Sequence, residues 1–210
     1  MNIFVKRIFD LLFSILLLVI LSPTLALIAI IIKLNSKGPV LFKQERVGED
    51  GNLFKIYKFR TMLHNFNKLG HGFDLQKDDA RITNIGNFLR RWSLDELPQL
   101  LNILKGEMSF IGPRPTLEYQ VRQYNDFQRK RLLMKPGITG WAQVNGRNSL
   151  TWEERIYYDL WYVMNFSLSL DLEILIKTIK VTLLKEGIYG KAGNNYDFNL
   201  KDNLKINKAI

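Results

Sequence analysis

The sequence predicts a mainly α-helical chain with one small β-hairpin, an N-terminal membrane helix and amphipathic helices lying in the membrane interface. Three observations predict it. One is an uncharged apolar run from Leu11 to Ile32, and another an Asp-Gly pair between two β-type runs near residue 50. The third is apolar spacing of three and four residues within 97–104 and 170–187. The 210 residues suffice for one globular domain with a modest core plus an accessory segment. A net charge of +10 predicts an anionic partner: nucleic acid, an acidic membrane surface or a phosphorylated small molecule. Without cysteine, disulfides and Cys-based zinc sites are excluded, and His64 and His71 cannot complete a zinc site alone.

The first element is the apolar run. About 20 such residues cross a bilayer core, and the run is too long for the apolar stretch of a secretory leader. A buried soluble helix is seldom apolar on every face, so membrane insertion is expected. Pro23 removes a backbone donor in mid-run and should kink the helix, while the Ser22 hydroxyl can serve the carbonyl so freed. Lys6 and Arg7 precede the run; Lys33, Lys37, Lys43 and Arg46 follow it. Basic flanks on both sides give no orientation. From these residues a kinked spanning helix and a re-entrant helix that returns to its own side both remain open.

The second element is the hairpin. Val40-Leu41-Phe42 and Leu53-Phe54-Lys55-Ile56-Tyr57 flank Glu49-Asp50-Gly51-Asn52, which suits a tight turn. Residues 63–80 read as a polar loop with room for a short helix. Ile82, Ile85, Leu89 and Trp92 recur at helical spacing, predicting a helix over 82–91.

Next comes RRWSLDELPQLLNIL, residues 90–104. Ser93-x-x-Glu96 matches a capping box, and Leu97, Leu100, Leu101 and Leu104 form an apolar stripe behind it. Pro98 fits a first turn, which moves the expected start toward Asp95. Asp95 and Glu96 therefore suit a helix N-terminus on local grounds alone. Local grounds do not explain Arg90 and Arg91 just upstream. Downstream, Arg114 stands between Pro113 and Pro115, a stiff segment on which a guanidinium makes a good anion fork. Gly137, Gly140 and Gly146 surround Trp141 and Arg147, a glycine-rich backbone able to cradle phosphate. Residues 151–165 are crowded with Trp152, Tyr157, Tyr158, Trp161 and Tyr162, types that favour the membrane boundary. Over 170–187, Leu172, Leu175, Ile176, Ile179, Leu183 and Leu184 share one helical stripe, against Lys177, Lys180 and Lys185. That pattern suits a helix lying in the interface plane, with a core-packed helix as its competitor. Residues 188–210 read as a polar tail.

A carboxylate pair among fixed arginines and lysines suits phosphate chemistry. Mg²⁺ is commonly held by one or two carboxylates plus substrate phosphates, and a carboxylate can itself attack phosphorus. Neighbouring arginines should lower the nucleophile's pKa and neutralise the transferring group.

The ordered blocks KRIFD (6–10), Ser22-Pro23, GPVLFKQERVG (38–48), KIYKFRTM (55–62), SLDELPQL (93–100), KGEMSFIGPRP (105–115) and KPGITGWAQVNGR (135–147) resemble the bacterial sugar transferases known as small monotopic phosphoglycosyl transferases. The resemblance covers roughly 1–187. It implies a re-entrant membrane helix over 1–36 broken at Ser22-Pro23 and a compact cytoplasmic catalytic domain over 37–187; residues 188–210 fall outside it and read from their Asn, Lys and Gly content as a mobile C-terminal tail. It implies an enzyme at the cytoplasmic face of a bacterial inner membrane. That enzyme would move a sugar phosphate from a UDP-sugar to undecaprenyl phosphate, release UMP, and so initiate a surface glycan. Asp95 is then the nucleophile, taking a covalent phospho-sugar. Glu96, with Asp95, would hold Mg²⁺, and Arg114 would grip the nucleotide or its phosphate. Lys58, Arg60, Arg90, Arg91 and Arg147 are further candidate substrate-binding residues, as basic groups within the matching blocks. The shortness of the chain resembles members that use N-acetylated UDP-sugars. Two other readings fit the charge: a membrane-anchored nucleic-acid-binding protein and a membrane-anchored scaffold. No recognition helix, aromatic RNA-binding motif or zinc knuckle supports the first, so no nucleic-acid partner is expected.

Overall fold

The computed structural model describes residues 2–63 and 81–184; the loop expected over 63–80 (beyond Leu63), both histidines and the tail lie outside them. The apolar run lies within helix α1, Asn2–Asn35, about 50 Å long at 1.5 Å per residue. Phe4, Ile8, Leu12, Ile15, Val19, Leu27, Ile30 and Leu34 remain exposed along it. A long stripe of exposed apolar side chains of this kind suits contact with a membrane or another protein, and the helix is long and apolar enough to cross a membrane. The opposite face is used. Leu17 and Leu18 pack on Phe54, Ile56 and Leu100, whereas Ile28 and Ile32 are buried against Phe59 and Leu89.

Charged residues near the start of α1 hold it to the same globular body. Lys6, only 8% exposed, donates to Asp171 at 2.5 Å, and Tyr162 donates to the other oxygen of that carboxylate. Arg7 donates to the carbonyls of Ile103 and Leu104, where a helix ends with unsatisfied acceptors. Asp10 accepts from the Phe110 backbone N–H at 3.0 Å. Buried charges persist only when paired in this way. The sequence signalled Lys6 and Arg7 merely as membrane flanks.

At Ser22-Pro23 the helix is not interrupted, against the break expected there. Helical backbone continues from Asn2 through Pro23 to Asn35. The Val19 carbonyl, which Pro23 cannot serve, accepts from the Ser22 hydroxyl at 2.8 Å.

The hairpin is longer than the β-type runs suggested. β1, Leu41–Val47, pairs antiparallel with β2, Leu53–Phe59, in the register Leu41 opposite Phe59 to Val47 opposite Leu53. Asp50 and Gly51 both take left-handed backbone (φ 54 and 81°), which an Asp-Gly pair tolerates best. α2, Asn84–Arg91, starts at Thr83, whose side chain caps Gly86 N. A 3-10 turn, Leu94–Gln99, leads into α3, Leu100–Lys105. The segment then forms β3, Ser109–Ile111, parallel to β4, Gly137–Thr139, a pairing that the sequence did not announce.

Between them lie the single turns α4, Glu118–Val121, and α5, Asp126–Arg129; α6, Trp141–Val144, follows β4. The glycines of this region serve close packing. A Cβ on Gly112 would come within 2.2 Å of the Lys135 carbonyl, and one on Gly140 within 2.2 Å of the Gly112 carbonyl.

α7, Trp152–Met164, opens with a true capping box, Thr151 with Glu154. Of its aromatics Trp152 and Tyr162 are buried, Trp161 stacks on Trp141 at 5.0 Å, Tyr158 is half-buried and Tyr157 is exposed. α8, Leu168–Leu184, buries Leu170, Asp171 and Ile174. The predicted stripe, Leu172, Leu175, Ile176, Ile179, Leu183 and Leu184, faces outward. Of the two readings of this helix, the interface-lying one matches that exposure.

Candidate active site

The stretch RRWSLDELPQLLNIL is not a simply capped helix. Ser93 adopts left-handed backbone (φ 54°) and its side chain caps nothing. Its hydroxyl instead accepts from Arg147 at 3.0 Å, and Glu96 reaches Lys58 at 2.6 Å. Both halves of the apparent capping box are diverted to partners far along the chain. A strained non-glycine turn held by such contacts is a common mark of a functional site.

Lys58 comes from β2, and the strand is fixed relative to the carboxylates by Asn102. That side chain, fully buried on α3, accepts from Tyr57 N at 3.0 Å and donates to the Lys55 carbonyl at 2.8 Å. A third bond, to Glu107 at 2.7 Å, completes its donors.

Arg114 brings a guanidinium nitrogen to 3.7 Å from Glu96. Its backbone is clamped from behind. Arg131 donates to the Arg114 carbonyl at 2.9 Å, and the Arg114 N–H is directed at Asp159. Arg131 and Asp159 are themselves paired at 2.7 Å (Nε to Oδ2) and only 2% and 1% exposed, with Tyr124 hydroxyl as a further acceptor for Arg131. The stiffness expected from the two prolines is thus reinforced by a buried ion pair.

The resulting cleft is lined by Lys58, Arg90, Arg114, Arg147 and Arg155 against the carboxylates Asp95, Glu96 and Asp159, with Ser93, Ala142, Gln143 and Asn148. Cations outnumber carboxylates, and the crowding shows in their titration. Arg46, behind the cleft, is pushed down to about 10 by burial and then by Arg114. Arg155 is likewise lowered to about 10 by burial and by Arg114 and Arg131. An anion entering here would relieve that repulsion.

The two carboxylates differ. Burial alone would raise Glu96, but Lys58 and Arg114 outweigh it and hold the group at about 2. Asp95 is raised to about 6, by burial and by the neighbouring Glu96 charge, which Lys58 and Arg90 only partly offset. The lowered nucleophile pKa expected from sequence is therefore found on Glu96 and not on Asp95. Among the described residues no cation pairs directly with Asp95, so its oxygens stay available.

Of the predicted site residues, the structure brings together Lys58, Arg90, Asp95, Glu96, Arg114 and Arg147. Arg60 is elsewhere: its guanidinium donates to the carbonyls of Ile32, Ser36 and Lys37, closing the C-terminal end of α1. Arg91, at the end of α2, is exposed and does not line the cleft. Ser93, Gln143, Asn148, Arg155 and Asp159 were missed. Asp159 had a signal, being the sole charge between Ile156 and Met164.

Mg²⁺ fits this donor set in one form only. Among the described residues no group of three or more His, Asp or Glu could cage a metal. Two carboxylates plus the oxygens of a bound phosphate would suffice for an ion that keeps several waters.

A family model described as bacterial sugar transferase matches residues 1–185. The chain belongs to the bacterial sugar transferase family. It is 46% identical over 183 residues to the uncharacterized sugar transferase EpsL of Bacillus subtilis, covering 87% of this chain and 89% of that protein. It is 42% identical over 201 residues to an undecaprenyl-phosphate galactose phosphotransferase of Salmonella typhimurium. A third relative, 42% identical over 186 residues, is a UDP-N-acetylgalactosamine-undecaprenyl-phosphate N-acetylgalactosaminephosphotransferase of Aeromonas hydrophila. These two matches cover 89% and 86% of this chain but only 42% and 44% of the relatives. The sugar transferase region is thus the part of those longer proteins that this chain shares.

Proposed function

We propose that this sugar transferase moves a sugar 1-phosphate from a UDP-sugar to undecaprenyl phosphate through a covalent intermediate on Asp95, initiating a surface glycan. The observation that carries this reading is an unpaired carboxylate beside a Lys58-bound one, in a cleft with surplus cations. An Asp95 oxygen attacks the phosphorus that bears the sugar. The bond from that phosphorus to the bridging oxygen breaks, and UMP leaves with the oxygen. A phosphate oxygen of the lipid then attacks the aspartyl phosphorus, and Asp95 regains its carboxylate. Arg114 and Arg147 face the charge on the transferring group, and Lys58 keeps Glu96 ionised. Asp95 and Glu96 would hold Mg²⁺, which would neutralise the pyrophosphate. With its pKa near 6, Asp95 is mostly ionised at neutral pH.

The donor is a UDP-sugar, with the N-acetylated class as first choice. A panel of UDP-sugars assayed for UMP release decides this. A chelator should abolish release and added Mg²⁺ restore it; turnover that persists in the chelator would remove the metal from the scheme.

The site's lipid partner gives α1 its purpose. Lys6 and Ile32, near opposite ends of the helix, both contact the globular body. That supports entry and return on one side, which we take to be the cytoplasmic face of a bacterial inner membrane. The chain has no cysteine, so single cysteines at positions 2 and 50 can be labelled from one side of sealed vesicles. Labelling from opposite sides would establish a spanning helix.

A further inference from the structure

Gln143 is a polar residue of the cleft that the scheme above leaves idle. It lies on α6, is 8% exposed, and neither its Oε1 nor its Nε2 has a hydrogen-bond partner. Buried carboxamides are rarely left so, because a polar atom taken out of water without a partner destabilises the fold. The side chain is seated by its surroundings. A Cβ at position 140 would come within 2.9 Å of Gln143 Oε1, so glycine there leaves the amide its place. The same Gly140 packs on the Gly112 carbonyl, which sets the amide beside the segment that carries Arg114.

A carboxamide offers one acceptor and one donor side by side in a plane. Its full complement is a group with a donor and an acceptor that are adjacent, coplanar and parallel. The imide edge of uracil, N3–H beside a ring carbonyl, has this form. A trans acetamido group does not, since its N–H and C=O point in opposite directions and can satisfy only one of the two atoms. Phosphates, which only accept, are matched instead by the cations at the other lining positions.

We infer that Gln143 is the residue that reads the uracil of the donor, with Oε1 accepting from N3–H and Nε2 donating to the adjacent carbonyl. This rests on the UDP-sugar reading and adds to it the residue that selects the base. Selectivity follows from what a buried amide does to a blocked partner: a uracil methylated at N3 has no proton for Oε1 and leaves that atom unpaired in the buried site.

The test uses the full-length protein in lipid nanodiscs and measures binding of UMP and of UMP methylated at N3. The parent should bind UMP about tenfold more tightly than the methylated nucleotide, as expected for losing a bond of ordinary strength. Gln143→Ala should lose about tenfold for UMP and show no preference between the two nucleotides. Gln143→Leu, apolar and of similar volume, should match that loss while its melting temperature is unchanged or higher, because an unsatisfied amide has gone. Equal binding of the two nucleotides by the parent would overturn the assignment, as would a preference that survives in Gln143→Ala. A lowered melting temperature in Gln143→Leu with selectivity intact would mark the amide as structural and also overturn it. If UMP is released from UDP-sugars but Gln143 variants keep their selectivity, the base-reading role alone fails. If neither UMP release nor UMP binding occurs, the UDP-sugar reading fails with it.

Discussion

Two acid–base clusters sit back to back across the Arg114 backbone, and they are built to opposite standards. Behind it, Arg131, Asp159 and Tyr124 are closed to water and the guanidinium is shared among three acceptors. In front, Lys58, Glu96 and Arg114 are partly exposed, cations are in excess, and Asp95 and Gln143 keep atoms without direct partners. The rear cluster resembles an ordinary buried ion pair, whose removal costs stability. The front cluster holds charges at a cost to the fold so that a ligand can use them. Polar groups in one small volume thus separate into support and chemistry by how fully their partners lie within the chain, with Asp159 at the boundary, since it lines the cleft and its Oδ1 has no partner.

The sharpest way to break the comparison is Asp95→Asn. Turnover should fall at least about a thousandfold, since a neutral amide cannot form the phospho-aspartate. Stability should move the other way. Asp95 titrates near 6 in the fold against 3.8 when free, so it weakens the fold as pH rises through that interval. At neutral pH the variant should gain on the order of 1–2 kcal/mol, read as a higher melting temperature. A variant that is inactive and also less stable would contradict the assignment of Asp95 to the strained front cluster.

Arg131→Ala should do the reverse of a catalytic change. Leaving Asp159 buried and unpaired costs roughly 3–5 kcal/mol of stability, measurable by denaturant unfolding. Lys58→Met is the contrasting front-cluster variant: a loss of about ten- to a hundredfold in kcat/KM with a smaller fall in stability. Should Lys58→Met unfold the protein as readily as Arg131→Ala, the division into support and chemistry would collapse.

A pH profile is gentler. The lower limb of kcat/KM should bend near pH 6, as Asp95 loses its proton, and rise toward neutrality. Glu96 contributes stability above 4.5 that disappears as pH falls toward 2. Acid unfolding should therefore begin below the pH at which activity is lost. The smallest effect expected is at Asn102, where Asn102→Ala removes the tie between β2 and α3. A loss of about 1–3 kcal/mol in stability should accompany a higher KM, because Lys58 loses its register.

Much of this was legible in the chain itself. The apolar run, the Asp-Gly hairpin, the helix before Arg91 and the outward stripe of α8 follow from periodicity and turn chemistry, and they appear where expected. The adjacency of Asp95, Glu96 and Arg114 was legible only through their shared segment and the resemblance. Three things were not legible. Ser93-x-x-Glu96 reads locally as a capping box, because nothing in the local sequence shows that Arg147 and Lys58 compete for those side chains. Arg60 sits in a matching block, two residues from Lys58, yet it lies just past the end of β2 at Phe59 and its guanidinium is taken up by the carbonyls at the end of α1. Gln143, Arg155 and Asp159 come from helices brought in by β3–β4 pairing, a long-range contact with no periodic trace.

Whether Asp95 is a nucleophile is read directly by peptide-level mass spectrometry. The protein is incubated with UDP-sugar and Mg²⁺ in the absence of undecaprenyl phosphate, then digested. A phospho-sugar adduct on the peptide containing Asp95, formed with one equivalent of UMP and absent in Asp95→Asn, is the expected result. UMP release only when both substrates are present, with no adduct at any residue, would show direct transfer and contradict the account.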